Sequence, residues 1–181
     1  LKEAQKSSDK TIKNAFLLSD DAIVEGVLIP TKKRMTACVS VQVGCSLDCA
    51  FCATGKLKRV RNLNPDEIYD QVAIISDQSK MEYDIPLSNV VFMGMGEPLL
   101  NYKNLLASIE KITSMNGLGM SPKRITVSTA GIARRITKLA DDEVKFNLAL
   151  SLHAANDQKR NKIMPINESN SLDVLNQAMV Y

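Results

Sequence analysis

A chain of 181 residues, 45% apolar and 24% charged, has the balance of a globular protein and the length for one domain with a substantial core. No apolar run reaches the length of a membrane span and no signal peptide opens the chain; four cysteines clustered as here argue against a disulfide framework, and the cytoplasm is the expected compartment. A net charge of +3 is too small to argue for nucleic acid, and with no Trp and 4% aromatics there is no stacking platform for a general single-strand binder.

In chain order, "TIKNAFLL" and "AIVEGVLIP" read as strands of β-hairpins, broken by Ser19-Asp20-Asp21 and Pro30-Thr31-Lys32. A third strand, "TACVSVQV", runs straight into Gly44 and a cysteine loop. Asn64-Pro65-Asp66-Glu67 then supplies an N-cap, a first-turn proline and a capping-box glutamate, followed by Ile68, Val72 and Ile75 at helical spacing. "NVVFMG" has no clean alternation and reads as a strand buried on both faces. Leu105, Ile109 and Ile112 mark a helix ending near Asn116-Gly117. "RITVST" is a strand, Ile132, Ile136 and Leu139 a helix, "VKFNLALSLH" a fourth core strand, and a short helix follows Asn156. Because the chain starts at Leu1 and stops at Tyr181 inside the helical "SLDVLNQAMVY", it reads as a piece of a longer protein.

Strands alternating with helices imply right-handed crossovers and a parallel sheet, with ligands at the carboxyl ends of the strands. The strand-ending residues are Gly44-Cys45, Gly94-Met95-Gly96-Glu97, Ser128-Thr129 and Ser151-Leu152-His153. Every candidate chemical group thus falls on one edge.

"VQVGCSLDCAFCATGK" places three of the four cysteines, Cys45, Cys49 and Cys52, inside eight residues. Clustered thiols of this kind point to metal or redox chemistry rather than a disulfide framework. Three readings stand. Tetrahedral zinc needs a fourth ligand, for which Cys38 and His153 are the candidates. Cys49-Ala-Phe-Cys52 is a CxxC redox pair, to which a third cysteine adds nothing. An iron–sulfur cluster held wholly by protein takes four cysteines, so three would leave one iron open.

"CSLDCAFC" resembles the signature of the radical S-adenosylmethionine (SAM) enzymes, in which the open iron chelates the amino and carboxylate groups of SAM. "CVSVQVGCSLDCAFCATG", "NVVFMGMGEPLLN", "RITVSTAGI" and "LALSLHAANDQKRNKIMPIN" together resemble the dual-specificity RNA adenine methyltransferases, from about Thr11 onward. That resemblance implies methylation of carbon 2 of adenosine in 23S rRNA and tRNA. The related carbon-8 resistance methyltransferases share most of these blocks, and Pro98 of "GMGEP" favours carbon 2. A zinc-stabilised RNA-binding module without catalysis is the alternative from another class.

The resemblance assigns Cys45, Cys49 and Cys52 to a 4Fe-4S cluster, with Phe51 packed near SAM or in the core. Gly96, Glu97, Ser128, Ser151, Leu152 and His153 fall to SAM binding, with the Glu97 carboxylate accepting from the SAM ammonium. Cys38 matches a non-ligand thiol thought to form a disulfide with a methylated cysteine and so release the product. That methyl-carrying cysteine, a later SAM-contacting asparagine and an N-terminal RNA-binding domain are expected outside this chain, as is an electron donor such as flavodoxin. The fold expected is α/β, a partial (β/α) barrel of radical SAM type with an N-terminal β-hairpin lead-in over 1–36 and the core over 37–181. Substrate RNA is expected at the strand-end face, near Lys56, Lys58, Arg59 and Arg61.

Overall fold

The computed structural model describes residues 1–181. Its N-terminal segment forms β1 (Glu3–Lys6), β2 (Ile12–Leu17) and β3 (Ile23–Pro30), paired antiparallel in sequence order. Along β2 the alternation is clean, with Ile12, Asn14 and Phe16 buried and their neighbours facing out. The turn at Asp20-Asp21 is present: Asp20 accepts from the Ala22 N–H at 3.3 Å and Asp21 takes the left-handed φ of 62°. The sequence carries no signal for β1, which is exposed throughout and has no apolar alternation.

The predicted third strand is two pieces. β4 (Met35–Cys38) joins the main sheet, whereas β5 (Gln42–Val43) pairs with β6 (Arg61–Asn62) in a separate two-stranded ribbon. The helix α1 (Pro65–Tyr83) explains the break. Its buried Gln71 takes both backbone groups of Ser40, accepting from the N–H at 3.0 Å and donating to the C=O at 3.1 Å. A backbone satisfied by a side chain has left the ladder, and the chain is free to turn there. The start of α1 forms as predicted, with the Asn64–Glu67 capping box closed at 2.9 Å in both directions.

The remainder alternates: β7 (Asn89–Phe92), α2 (Tyr102–Thr113), β8 (Ile125–Thr129), α3 (Ala133–Asp141), β9 (Asn147–Leu150), α4 (Asp157–Ile163) and α5 (Leu172–Val180). One seven-stranded sheet results, ordered β1-β2-β3-β4-β7-β8-β9, parallel from β4 onward. The residue-36 boundary falls inside β4, and a buried amide pair ties the lead-in to the core. Asn14 on β2 donates to Gln78 on α1 at 2.9 Å, and Gln78 donates back at 3.0 Å.

Two strand expectations need correction. β7 is not buried on both faces: Val90 and Phe92 are buried, while Asn89 and Val91 are half-exposed. β9 is not a core strand but the end of the sheet, shorter than predicted and only partly buried. β9 has a neighbouring strand on one side only, and the pattern of β7 follows from how the sheet is covered. Ala37, Val90, Phe92, Ile125 and Val127 pack into the helix-backed core, whereas Thr36, Cys38, Val91, Thr126 and Ser128 on the opposite face stay half-exposed. The chain covers one face of its parallel sheet, and the site lies along the carboxyl edge of the uncovered face.

Candidate functional site

The cysteine loop leaves β5 at Gly44, whose φ of 73° and close approach to the Lys58 backbone leave no room for a Cβ. The loop is then pinned at several points. Cys45 N–H donates to Leu57 O at 3.2 Å, Cys52 N–H to Cys49 O at 3.0 Å, and Ala50 N–H to Ile163 O, at the end of α4, at 2.9 Å. Cys45, Cys49 and Cys52 all line one cavity of about 290 Å³, with Gly96, Glu97, Ser128, Thr129, Ala130, Ser151, His153 and Met164 on its other walls. Burial pushes the Cys45 thiol up. It pushes Cys49 up to about 11, helped by the neighbouring Cys45 and Cys52.

Glu97 is 3% exposed. Its presentation begins at Gly96, where φ is 96° and Gln42 packs against the position of a Cβ. Gln42 accepts from the Glu97 N–H at 2.8 Å and donates to Asn62 at 2.7 Å, so the β5–β6 ribbon holds the turn. The carboxylate accepts from Leu99 N–H at 3.0 Å and the Thr129 hydroxyl at 2.7 Å on one oxygen, and from Ala130 N–H at 2.8 Å on the other. Burial raises its pKa and the three donors pull it back. All three partners are neutral, which leaves a buried carboxylate on the cavity wall ready for a cationic ligand.

The adjacent strand ends bring Ser128 and Ser151 together, hydroxyl to hydroxyl at 3.2 Å. His153 takes a φ of 55° within a tight turn, closed by Ala154 N–H donating to Leu152 O at 2.7 Å. Its ring packs on Phe51 from the cysteine loop, with centroids 4.0 Å apart. Phe51 is 52% exposed, so of its two readings the core one is excluded. The two rings, from separate segments of the chain, stack together on the cavity wall.

Two predicted residues stand outside the cavity lining. Leu152 exposes its side chain, and its carbonyl accepts from Arg160 Nε at 3.0 Å. Cys38 sits at the end of β4, half-buried, with its thiol raised by burial and hydrogen-bonded by the Met93 backbone; Met93 is itself a wall residue. All four cysteines are free, so the disulfide expected for Cys38 has no counterpart within this chain. Arg61 does not face outward toward RNA, as its place in the basic run suggests. Instead it donates to Asp20 at 2.7 and 2.9 Å and to Glu67 at 2.8 Å, and is half-buried. Sequence reasoning named Thr129 only as a strand end and missed Ala130, Arg160 and Met164; the signal for the last two lay in "QKRNKIMPIN", from which Met164 reaches the cavity wall.

The donor set bears on which group the loop holds. Three thiols spread around a shared cavity suit a cluster whose separate irons each take one sulfur.

A helix-backed parallel sheet with a three-thiol loop at its carboxyl edge defines the class, an α/β core with three cysteines gathered on one cavity wall. The profile of the Radical SAM superfamily matches residues 39–179, and the chain belongs to that superfamily. SAM and an iron–sulfur cluster are the cofactors that membership implies.

The motif resemblance is upheld as well. The chain is 64% identical, over 98% of its length, to a Christiangramia forsetii protein named "Probable dual-specificity RNA methyltransferase RlmN", covering 50% of that protein. It is 61% identical to the Cytophaga hutchinsonii protein of the same name, over 100% of this chain and 50% of that one. The crystal structure of a radical SAM methyltransferase from Sphaerobacter thermophilus superposes with a TM-score of 0.94 at 37% identity, over 97% of this chain and 52% of that one. The chain therefore spans about half the length of these relatives.

Proposed function

We propose that this chain is the cluster- and SAM-binding half of a radical SAM methyltransferase acting on carbon 2 of adenosine in 23S rRNA and tRNA. The observation that carries the reading is the meeting of Cys45, Cys49 and Cys52 with Glu97, Ser128 and Ser151 around one cavity. Cys45, Cys49 and Cys52 would hold a 4Fe-4S cluster, which when bound and reduced would supply the single electron for reductive cleavage of SAM.

The chain's own residues hold and orient. Three thiolates would take the cluster. The Glu97 carboxyl, which has no cationic partner within this chain, would receive the SAM ammonium, fixing the methionine end by a charge-assisted bond. Ser128 and Ser151 offer hydroxyls to the rest of the cofactor, and the Phe51–His153 pair shields the mouth from water. Cys38, outside the cavity lining, would meet a methyl-bearing cysteine supplied from outside this chain. RNA would approach over Lys56, Lys58 and Arg59, and an external one-electron donor of the flavodoxin kind would reduce the cluster.

The test is anaerobic reconstitution of the complete protein, with iron and sulfide counted and the visible spectrum recorded before and after SAM. About four of each per chain, and a SAM-dependent spectral change lost in Cys49→Ala, are expected. Zinc without sulfide would overturn the reading. Mass spectrometry of nucleosides from treated RNA then separates a carbon-2 from a carbon-8 product.

A further inference from the structure

Arg160 is fully buried, yet no carboxylate touches it. A guanidinium removed from water is costly unless its fork is filled, and here backbone carbonyls fill it. Nε donates to Leu152 O at 3.0 Å, and Nη2 donates to Ala130 O at 2.6 Å and Ser151 O at 3.2 Å. Nη1 donates to Asn167, whose amide in turn donates to Asp157 at 2.7 Å.

The identity of those carbonyls matters. Ala130 follows β8, and Ser151 and Leu152 follow β9. The Ala130 residue is gripped from both sides, its N–H by Glu97 at 2.8 Å and its C=O by Arg160. A line of hydrogen bonds therefore runs from the carboxylate on the turn after β7, through the end of β8, to the guanidinium on α4 and on to the end of β9. Three consecutive strand ends are lashed in one register. The same helix reaches the cysteine loop, since Ile163 O accepts from Ala50 N–H and the next residue, Met164, lines the cavity.

We infer that Arg160 is a positioning residue for SAM binding: its fork sets the spacing of the β8 and β9 ends and so aims Glu97, Ser128, Ser151 and His153 into one cofactor-sized cavity. The inference rests on the SAM-binding reading above. It assigns the work to the planar fork rather than to the positive charge, because a lysine ammonium cannot span three carbonyls on two strands.

The reconstituted complete protein supplies the test, through Arg160→Lys, Arg160→Met and, as a control, Asn167→Ala. The control removes the one hydrogen bond that points away from the strand ends. Iron and sulfide contents of all three are expected to equal the parent's. The dissociation constant for SAM, read from the change in cluster absorbance, should rise at least tenfold in both Arg160 variants. It should stay within twofold of the parent in Asn167→Ala, whose melting temperature alone should fall. Hydrogen exchange should quicken at 129–131 and 151–154 in Arg160→Lys.

Parent-like SAM affinity in folded Arg160→Lys overturns the inference, as does an equal loss in Asn167→Ala, which would reduce Arg160 to general stability. Loss of iron from Arg160→Lys would also overturn it, by moving the effect to the cysteine loop. Should Arg160→Met fail to fold, Arg160→Lys decides alone. Absence of SAM binding by the parent would strike the underlying reading instead.

Discussion

At the scale of single residues, the site depends on one buried carboxylate. Glu97 accepts three hydrogen bonds and donates none, so an amide in its place must turn its NH2 toward a donor it cannot satisfy. Glu97→Gln is therefore expected to lose about 1–3 kcal/mol of stability, read by denaturant unfolding. It should also weaken SAM binding by roughly tenfold as the charge-assisted bond is lost. An unchanged affinity would show that Glu97 holds β8 and nothing more. Gly96→Ala should give a similar loss of affinity by another route. A Cβ there meets the Gln42 side chain on a backbone with φ of 96°, so the turn presenting Glu97 must move.

Among the elements, the cysteine loop owes its placement to the ribbon and helix that flank it, and Arg61 is the joint between them. It links Asp20 of the lead-in turn to Glu67 of the α1 capping box. Hydrogen bonding from Arg61 holds Asp20 at about 2 and lowers Glu67, while the Arg61 pKa is itself raised by the two carboxylates.

The sign follows from the depressed values. Folded carboxylates that bind protons less readily than unfolded ones add stability above the ordinary values, 3.8 for Asp and 4.5 for Glu. That stability drains away as pH falls toward about 2. Arg61→Ala should melt a few degrees lower than the parent at pH 7, a modest deficit because the groups are partly exposed and screened. The gap should close as pH falls from about 4.5 to about 2, since it is the carboxylates that titrate there. A gap that stays constant down to pH 2 would assign the loss to packing instead.

For the whole molecule, the consequence of a sheet covered on one face is that all the chemistry faces one way. On the proposed reading, RNA reaching that edge would meet the exposed Lys56, Lys58 and Arg59, which are in no ion pair, but not the engaged Arg61. Replacing those three together in the complete protein should lower the salt slope of RNA binding by about 0.7–0.9 for each phosphate no longer neutralised. Arg61→Ala should leave that slope alone. Filter-binding titrations across salt concentration check both, and an unchanged slope in the triple variant would place RNA elsewhere.

Much of this was readable from residue order because it is local. Cysteine spacing, the capping box at Asn64–Glu67 and turn chemistry at Asp20-Asp21 act over a few residues, so the sequence alone determined the thiol loop, the strand-helix alternation and the edge on which the chemistry falls. What it left open required partners distant in the chain. The break at Ser40 depends on Gln71 from the following helix, and the one-sided burial of β7 depends on what packs against each face. In the linear chain Arg61 is one more cation in a basic run, and only the folded lead-in turn brings Asp20 against it. Arg160 has the same standing until folding places three strand-end carbonyls around it. A side chain's charge is written in the sequence, but whether that charge faces solvent or fills a buried fork is decided only when the tertiary structure supplies its acceptors.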